Sequence, residues 1–272
     1  MDVRERILIN NEKIPKPLFS HYVWKLDSKI RSLTSQQELE SPSVPGYPGF
    51  LALLAIYIFI SEKVDVVVLE TGIGGERDST NIFPRPAATG ITTIGLDHTN
   101  VLGNTVEQIA WHKAGIFKHG SPAFAIVQDE AVLKVLRSRA VEKQIAGELQ
   151  IVTDQKALEY NVRVSPNMHY QKLNASLAIS LAESYLKSED PEFSMTGDVA
   201  RGLQEAELPG RCTVTSDKDN TWFVSVAHNV VSLVETVAWF KGIIQAAEFV
   251  YFSIVPFYCL IIRTGVLLHL GS

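Results

Sequence analysis

From residue 64 onward, short apolar runs alternate with amphipathic segments, and this alternation restricts the fold more than any other feature of the chain. The runs VDVVVL (64–69), AATGITTIGL (87–96), PAFAIVQ (122–128) and LQIVT (149–153) read as strands. The first is apolar almost throughout, the pattern of a strand buried on both faces. Between them, TVEQIAWHKAGIFK (105–118) reads as a helix capped by Thr105 with Glu107 in its first turn. DEAVLKVLRSRAVEKQI (129–145) reads as a helix with an acidic start and a basic end. NASLAISLAESYLK (174–187) is a further amphipathic helix. Strands alternating with helices imply parallel βαβ units, hence an α/β fold around a parallel sheet.

The flanks read differently. RERILINNEKIP (4–15) predicts a short strand and turn, and residues 16–40 a helix with Leu18, Phe19, Val23, Leu26 and Ile30 on one face. FLALLAIYIFISEK (50–63) is apolar around its whole circumference, which predicts a helix buried against the sheet. LPGRCTV (208–214) breaks the alternation, and a fresh series opens with TWFVSVAHN (221–229) and the helix VSLVETVAWFKGII (231–244). The expected organisation is a central domain over 1–207, a linker over 208–211 and a second, smaller α/β domain over 212–272.

Composition narrows the function classes. The 272 residues carry a net charge of −5, with a pI near 5.8, so no basic footprint argues for nucleic acid. Charge is interspersed, without a polybasic patch for a membrane surface. The N-terminus is charged and lacks a secretory core. The uncharged run 249–262 contains Pro256 and falls short of the roughly 20 residues that span a bilayer. It predicts a buried strand pair, or a tail foreign to the fold. Cys212 and Cys259 form no CxxC and read as small buried side chains in a reducing compartment.

Chemistry collects where the strands end. In open parallel sheets, ligands bind beyond the carboxyl ends of the strands. The first run ends in Glu70 and the second in Asp97-His98, with Lys113 on the helix that follows. A carboxylate there suits Mg²⁺, which takes one or two protein ligands and keeps water and substrate phosphates. The glycines of GIGG (72–75) suggest a phosphate cradle only weakly. No glycine in the chain precedes a lysine, so the G-x-x-x-x-G-K-[ST] phosphate loop is absent from these residues.

Two long motifs and one short one carry a resemblance. VDVVVLETGIGGERDSTNI, GITTIGLDHTNVLGNTVEQIAWHKAGIFK and LPGR resemble the folylpolyglutamate synthases of the Mur-ligase superfamily, in a eukaryotic, fungal-like form. The resemblance runs from about residue 3 to residue 241. It implies a Mur-ligase-like ATPase domain followed by the start of a glutamate-ligase domain. The implied reaction is ATP-dependent: a folate-linked glutamate is activated as an acyl phosphate, and the amine of L-glutamate attacks it to form a γ-linked amide. The implied cofactors are ATP and Mg²⁺, with K⁺ as a further ion, and the implied partners are tetrahydrofolate (poly)glutamates and L-glutamate. The implied protein is a cytoplasmic, also mitochondrial, monomer without nucleic-acid or membrane partners.

Carried over residue by residue, the resemblance makes Glu70 and His98 metal ligands. Lys113, in HKAG, matches a lysine that can be carbamylated. Gln171 and Asn174, in YQKLNA, match nucleotide contacts, and Arg211, in LPGR, matches an arginine that reaches ATP phosphate. His228 and Asn229 match the end of the family's DGAHN motif. Departures accompany these matches. Tyr170 stands where histidine is usual, and Ser225 and Val226 stand where aspartate and glycine are usual. The family's GTNGKGS loop is not among these residues, the pattern fades after about residue 242, and residues 249–272 look unrelated. A chain truncated at both ends relative to the family, with impaired or absent activity, is the expectation. The alternative is an inactive pseudo-ligase or an incomplete gene-model fragment.

Overall fold

The computed structural model describes residues 2–36, 45–194, 198–206, 210–216, 221–227, 229–243, 251–255 and 259–264. They form two compact units, residues 1–83 and 84–272.

The first unit begins with a 3₁₀ turn, Val3–Arg6, capped by the Asp2 side chain. A two-residue hairpin follows, β1 (Leu8–Ile9) against β2 (Glu12–Lys13). Asn10 and Asn11 both take positive φ between the strands, at 52° and 63°; asparagine tolerates this region best among residues with a side chain. Helices α1 (Lys16–Gln36) and α2 (Tyr47–Ser61) pack a core of Ile7, Ile14, Phe19, Tyr22, Leu26, Leu54, Ala55 and Ile58. Tyr22 donates its hydroxyl to Glu62. The expectation that α2 is buried all round is corrected: only Leu54, Ala55 and Ile58 are buried, while Ile60 is 71% exposed. A helix packed against one neighbour buries one stripe, whatever the remaining residues are.

A second correction concerns residues 64–69. They pair with no described strand, and Val68 is 92% exposed. Apolar content alone does not make a strand; ladder partners and covered faces are also needed, and the first unit offers this segment neither.

The second unit holds a three-stranded parallel sheet in the order β3-β4-β5, where β3 is Thr89–Ile91, β4 Ala123–Ile126 and β5 Gln150–Val152. Crossing from β3 to β4 are the short α3 (Thr99–Leu102), α4 (Val106–Lys113) and a 3₁₀ turn, Ala114–Ile116. Helix α5 (Glu130–Lys143) crosses from β4 to β5. The start of α4 is as the sequence predicts: Thr105 accepts from Gln108 N, and the Gln108 side chain accepts from Thr105 N, a reciprocal capping box.

All four residues of β4 are buried, and the period-2 alternation divides them between two cores. Ala123 and Ala125 join Ile91, Ile109, Phe117 and Leu136 on the α4–α5 side. Phe124 and Ile126 join Leu173 and Leu177 of α7 (His169–Glu189) on the other. Gly90 permits this second packing: a Cβ there would lie 2.8 Å from Leu181 Cδ1. Helices α6 (Gln155–Glu159) and α8 (Asp198–Glu205) flank α7, which presents Ala175 and Ile179 to a core shared with Ala157, Val199 and Leu203.

The unit closes with a four-stranded antiparallel sheet in the order β6-β7-β9-β8, namely Thr213–Ser216, Thr221–Ser225, Cys259–Thr264 and Tyr251–Val255. Helix α9 (Val230–Ile243) supplies Trp239 and Phe240, which meet Phe223 of β7 edge-to-face at centroid distances of 5.9 and 5.0 Å. The predicted boundary at 208–211 falls inside this unit, with 208 and 209 outside the described residues.

Candidate active site

The first unit contributes one candidate, Glu70, on the extended segment before the glycine-rich turn. Its carboxylate is exposed and makes no hydrogen bond or ion pair among the described residues. The turn behind it is organised by Asp78. One carboxylate oxygen accepts from Gly72 N at 3.1 Å and Ile73 N at 3.0 Å, and the other from Thr80 N at 2.9 Å and Thr80 Oγ1 at 2.6 Å. Partial burial works to raise the Asp78 pKa, but these four donors outweigh it and hold the group below its ordinary value. Gly74, at φ 72°, takes the left-handed conformation inside the loop.

Two consequences are open to measurement. Asp78→Ala should raise amide exchange at Gly72, Ile73 and Thr80 several-fold, because each loses its acceptor; unchanged exchange would refute the role. Because the folded pKa is lowered, the stabilisation from Asp78 is fully present above the ordinary carboxylate pKa. It fades as pH falls through the lower, folded value. The same amides should therefore loosen on acidification in the parent chain and not in Asp78→Asn.

The second unit gathers the other candidates in two places. After β3, the chain runs to Ile94, whose N–H donates to Gln128 Oε1 at 2.9 Å. Asp97 then accepts from its neighbour His98 N at 2.8 Å through Oδ1. His98 sits at φ 49° as the residue preceding α3 and is exposed. Lys113, the last residue of α4, is half-buried. Burial pushes its pKa down, against the nearby Asp97 carboxylate, which pulls it up. Asn229, just before α9, donates from Nδ2 to Asp97 Oδ2 at 3.4 Å. The structure thus brings Asp97, Lys113 and Asn229 into one neighbourhood with His98.

The other place is the first turn of α7. Asn174 Nδ2 donates to Gln171 Oε1 at 3.4 Å, and Gln171 Nε2 donates to Ser165 O at 3.4 Å. These two candidates share one helix face, as i,i+3 spacing requires. Beside them runs a chain of polar contacts that the sequence did not reveal. Tyr170 Oη lies 3.7 Å from Cys212 Sγ, Cys212 Sγ 3.5 Å from Ser225 Oγ, and Ser225 Oγ 3.1 Å from Thr236 Oγ1. Burial and the Cys212 contact push the Tyr170 hydroxyl well above its ordinary pKa, opposed by the positive charge of the exposed Arg211. Cys212 is therefore not the small buried side chain expected, but a partly exposed thiol in a hydroxyl network. It takes φ 49°, two residues after Gly210 at φ 81°. His228 lies outside the described residues.

Among the described residues, no three His, Cys, Asp or Glu side chains form a metal cluster. The donor types still fit Mg²⁺, because an exposed carboxylate such as Glu70 leaves the remaining positions to water and phosphate. No helix among the described residues is long and apolar enough to cross a membrane.

A scan against protein-family models gives no match. Individual relatives do match. The folylpolyglutamate synthase of Neurospora crassa is 43% identical over 244 residues, covering 88% of this chain and 46% of the relative. The human mitochondrial folylpolyglutamate synthase is 38% identical, covering 91% of this chain and 46% of the relative. The chain thus spans about half the length of the curated relatives it matches. Among solved structures, the apo form of the Lactobacillus casei enzyme superposes with a TM-score of 0.76 at 25% identity, covering 89% of this chain and 62% of that one. A complex of such an enzyme with AMPPCP and folate gives 0.76 at 26% identity, with the same coverage.

Proposed function

Because this chain belongs to the folylpolyglutamate synthase family over the region it shares with these relatives, we propose that it serves an ATP-dependent ligase that adds γ-linked glutamate to tetrahydrofolate. The observation that carries this reading is the cluster beyond β3, where Asp97, beside His98 and near Lys113, meets Asn229 at the start of α9. A parallel sheet offers its ligand crevice at that end. Glu70 is the proposed ligand of one Mg²⁺, which would neutralise charge on ATP phosphates, and His98 the proposed ligand of a second. Gln171 and Asn174 would hold the nucleotide from the face of α7, and Arg211 would reach its phosphates. Lys113, half-buried, has an amine that loses its proton more readily than an exposed lysine does, which favours carbamylation. His228, which precedes Asn229 in the sequence, is proposed as a further catalytic group. The domain assignment over 1–207, 208–211 and 212–272 belongs to the same proposal, as do the L-glutamate partner, the monomer and a cytosolic or mitochondrial location, a relative being named for the mitochondrion.

These 272 residues contain no Gly-Lys pair and so no phosphate loop of the P-loop type. Removing one preorganised donor from a transition state costs about 2.7–4 kcal/mol, or about 10²–10³ in rate. We therefore propose that this chain turns over at least about 100-fold more slowly than the Neurospora enzyme given ATP, Mg²⁺, tetrahydrofolate and labelled glutamate. It should nonetheless bind Mg²⁺–AMPPCP. Absence of nucleotide binding would defeat the ligase reading in favour of a pseudo-ligase, and turnover equal to the relative's would defeat the proposed impairment.

A further inference from the structure

We propose that Asp97 is a positioning residue that docks the Asn229 cap and first turn of α9 onto the chain leaving β3. The proposal deepens the ligase reading but depends on that reading only for its catalytic consequence.

Three observations carry it. Asn229 Nδ2 donates to Asp97 Oδ2 at 3.4 Å, joining residues 132 positions apart. The orientation of that amide is fixed from the other side: Asn229 Oδ1 accepts from Ser232 N at 2.9 Å and from Ser232 Oγ at 2.9 Å, as an N-cap does. With the oxygen committed to the helix, the NH₂ group is left to face the carboxylate. Second, the contact is more than one hydrogen bond. A Cβ built on Gly95 would stand 3.5 Å from Val231 Cγ2, in ordinary van der Waals contact, so the first turn of α9 lies over the backbone of Gly95. Third, Asp97 is itself held, by the bond from His98 N at 2.8 Å, so its second oxygen is presented in a fixed direction.

A carboxylate in the DH pair of a strand end would ordinarily be read with its histidine as a metal ligand. Here its geometry gives it different work. One oxygen shapes the turn that carries His98, and the other receives the Asn229 cap of α9. Asp97 thus ties three proposed functional groups, His98, Lys113 and Asn229, to one side chain.

The test reads amide exchange at residues 233–236 of α9 in the whole chain. Asp97→Ala should speed exchange there about tenfold, as loss of one hydrogen bond implies. Asn229→Ser keeps an N-cap oxygen but removes the NH₂ donor. It should give the same increase, and the double variant should add nothing further. Asp97→Asn, whose carbonyl still accepts, should restore exchange close to that of the parent, a rescue that a role in charge or general stability would not produce. Gly95→Leu, with Asp97 intact, should loosen the same amides by wedging Val231 away. Unchanged exchange in Asp97→Ala, additive single effects, or failure of Asp97→Asn to rescue would each overturn the tether. None of these readings involves turnover. Loss of AMPPCP binding with intact coupling would fault the ligase reading alone.

Discussion

Phe117→Ala should destabilise the parallel-sheet core by about 3–5 kcal/mol, the range for truncating a fully buried aromatic residue. Phe117 is completely buried at the end of the 3₁₀ turn after α4, within the cluster formed by Ile91, Ile109, Ala123, Ala125 and Leu136. Its cluster draws on β3, α4, β4 and α5, so a cavity there closes only if those elements move. Domains have about 5–15 kcal/mol of stability in all. The variant should therefore lower the urea midpoint by about 1 M or more, given slopes of about 1–3 kcal/mol per M. A loss under about 1 kcal/mol would mean that α4 does not pack on this sheet as described. Leu158→Ala, at a 60% exposed position in α6, serves as the comparison and should cost little.

The second large effect is chemical. Equilibrated with ¹³C-labelled carbon dioxide, the protein should give a carbamate carbonyl resonance that is absent from Lys113→Arg. Carbamylation requires the neutral amine. Burial lowers the Lys113 pKa despite the opposing charge of Asp97, so the neutral form is reached at a lower pH than for an exposed lysine. Stability changes in the same direction. A buried ammonium costs free energy while it stays protonated, so the contribution of Lys113 to folding improves as pH rises from its lowered value to its ordinary one. Lys113→Met, which removes the charge and keeps the stem, should abolish both the resonance and that slope. A resonance that persists in Lys113→Arg would assign the carbamate elsewhere.

The sequence and the structure agree where local and global preferences point the same way. The Thr105 cap, helices α4, α5 and α7, and strands β4 and β5 could all be read from period and capping chemistry. The failures have a common physical origin. In residues 64–69 and helix α2, apolarity alone predicts burial, but burial depends on what neighbours are present. For the candidate site, the residues beyond β3 were legible because strand ends are set by topology. The Asp97–Asn229 bond and the chain from Tyr170 to Thr236 were not. They join residues far apart in sequence through short polar side chains, and no periodicity records such a meeting. Tyr170 and Ser225, which the sequence marks only as departures from a family pattern, belong to the same hydroxyl–thiol chain. The two substitutions are physically linked through Cys212.

The two sheets also differ in the order in which a ribosome would deliver them. In the parallel sheet β4 pairs with β3 and β5 with β4, so the three strands can assemble in the order they emerge. The antiparallel sheet cannot. Its strand β7 must wait for β9, because the order is β6-β7-β9-β8. At about 5–20 residues per second, that delay leaves one side of β7 without its ladder for a few seconds of translation. Helix α9, made in the interval, can cover Phe223 with Trp239 and Phe240 before the ladder is complete. That aromatic cluster would then close one face of β7 while its edge still waits for β9.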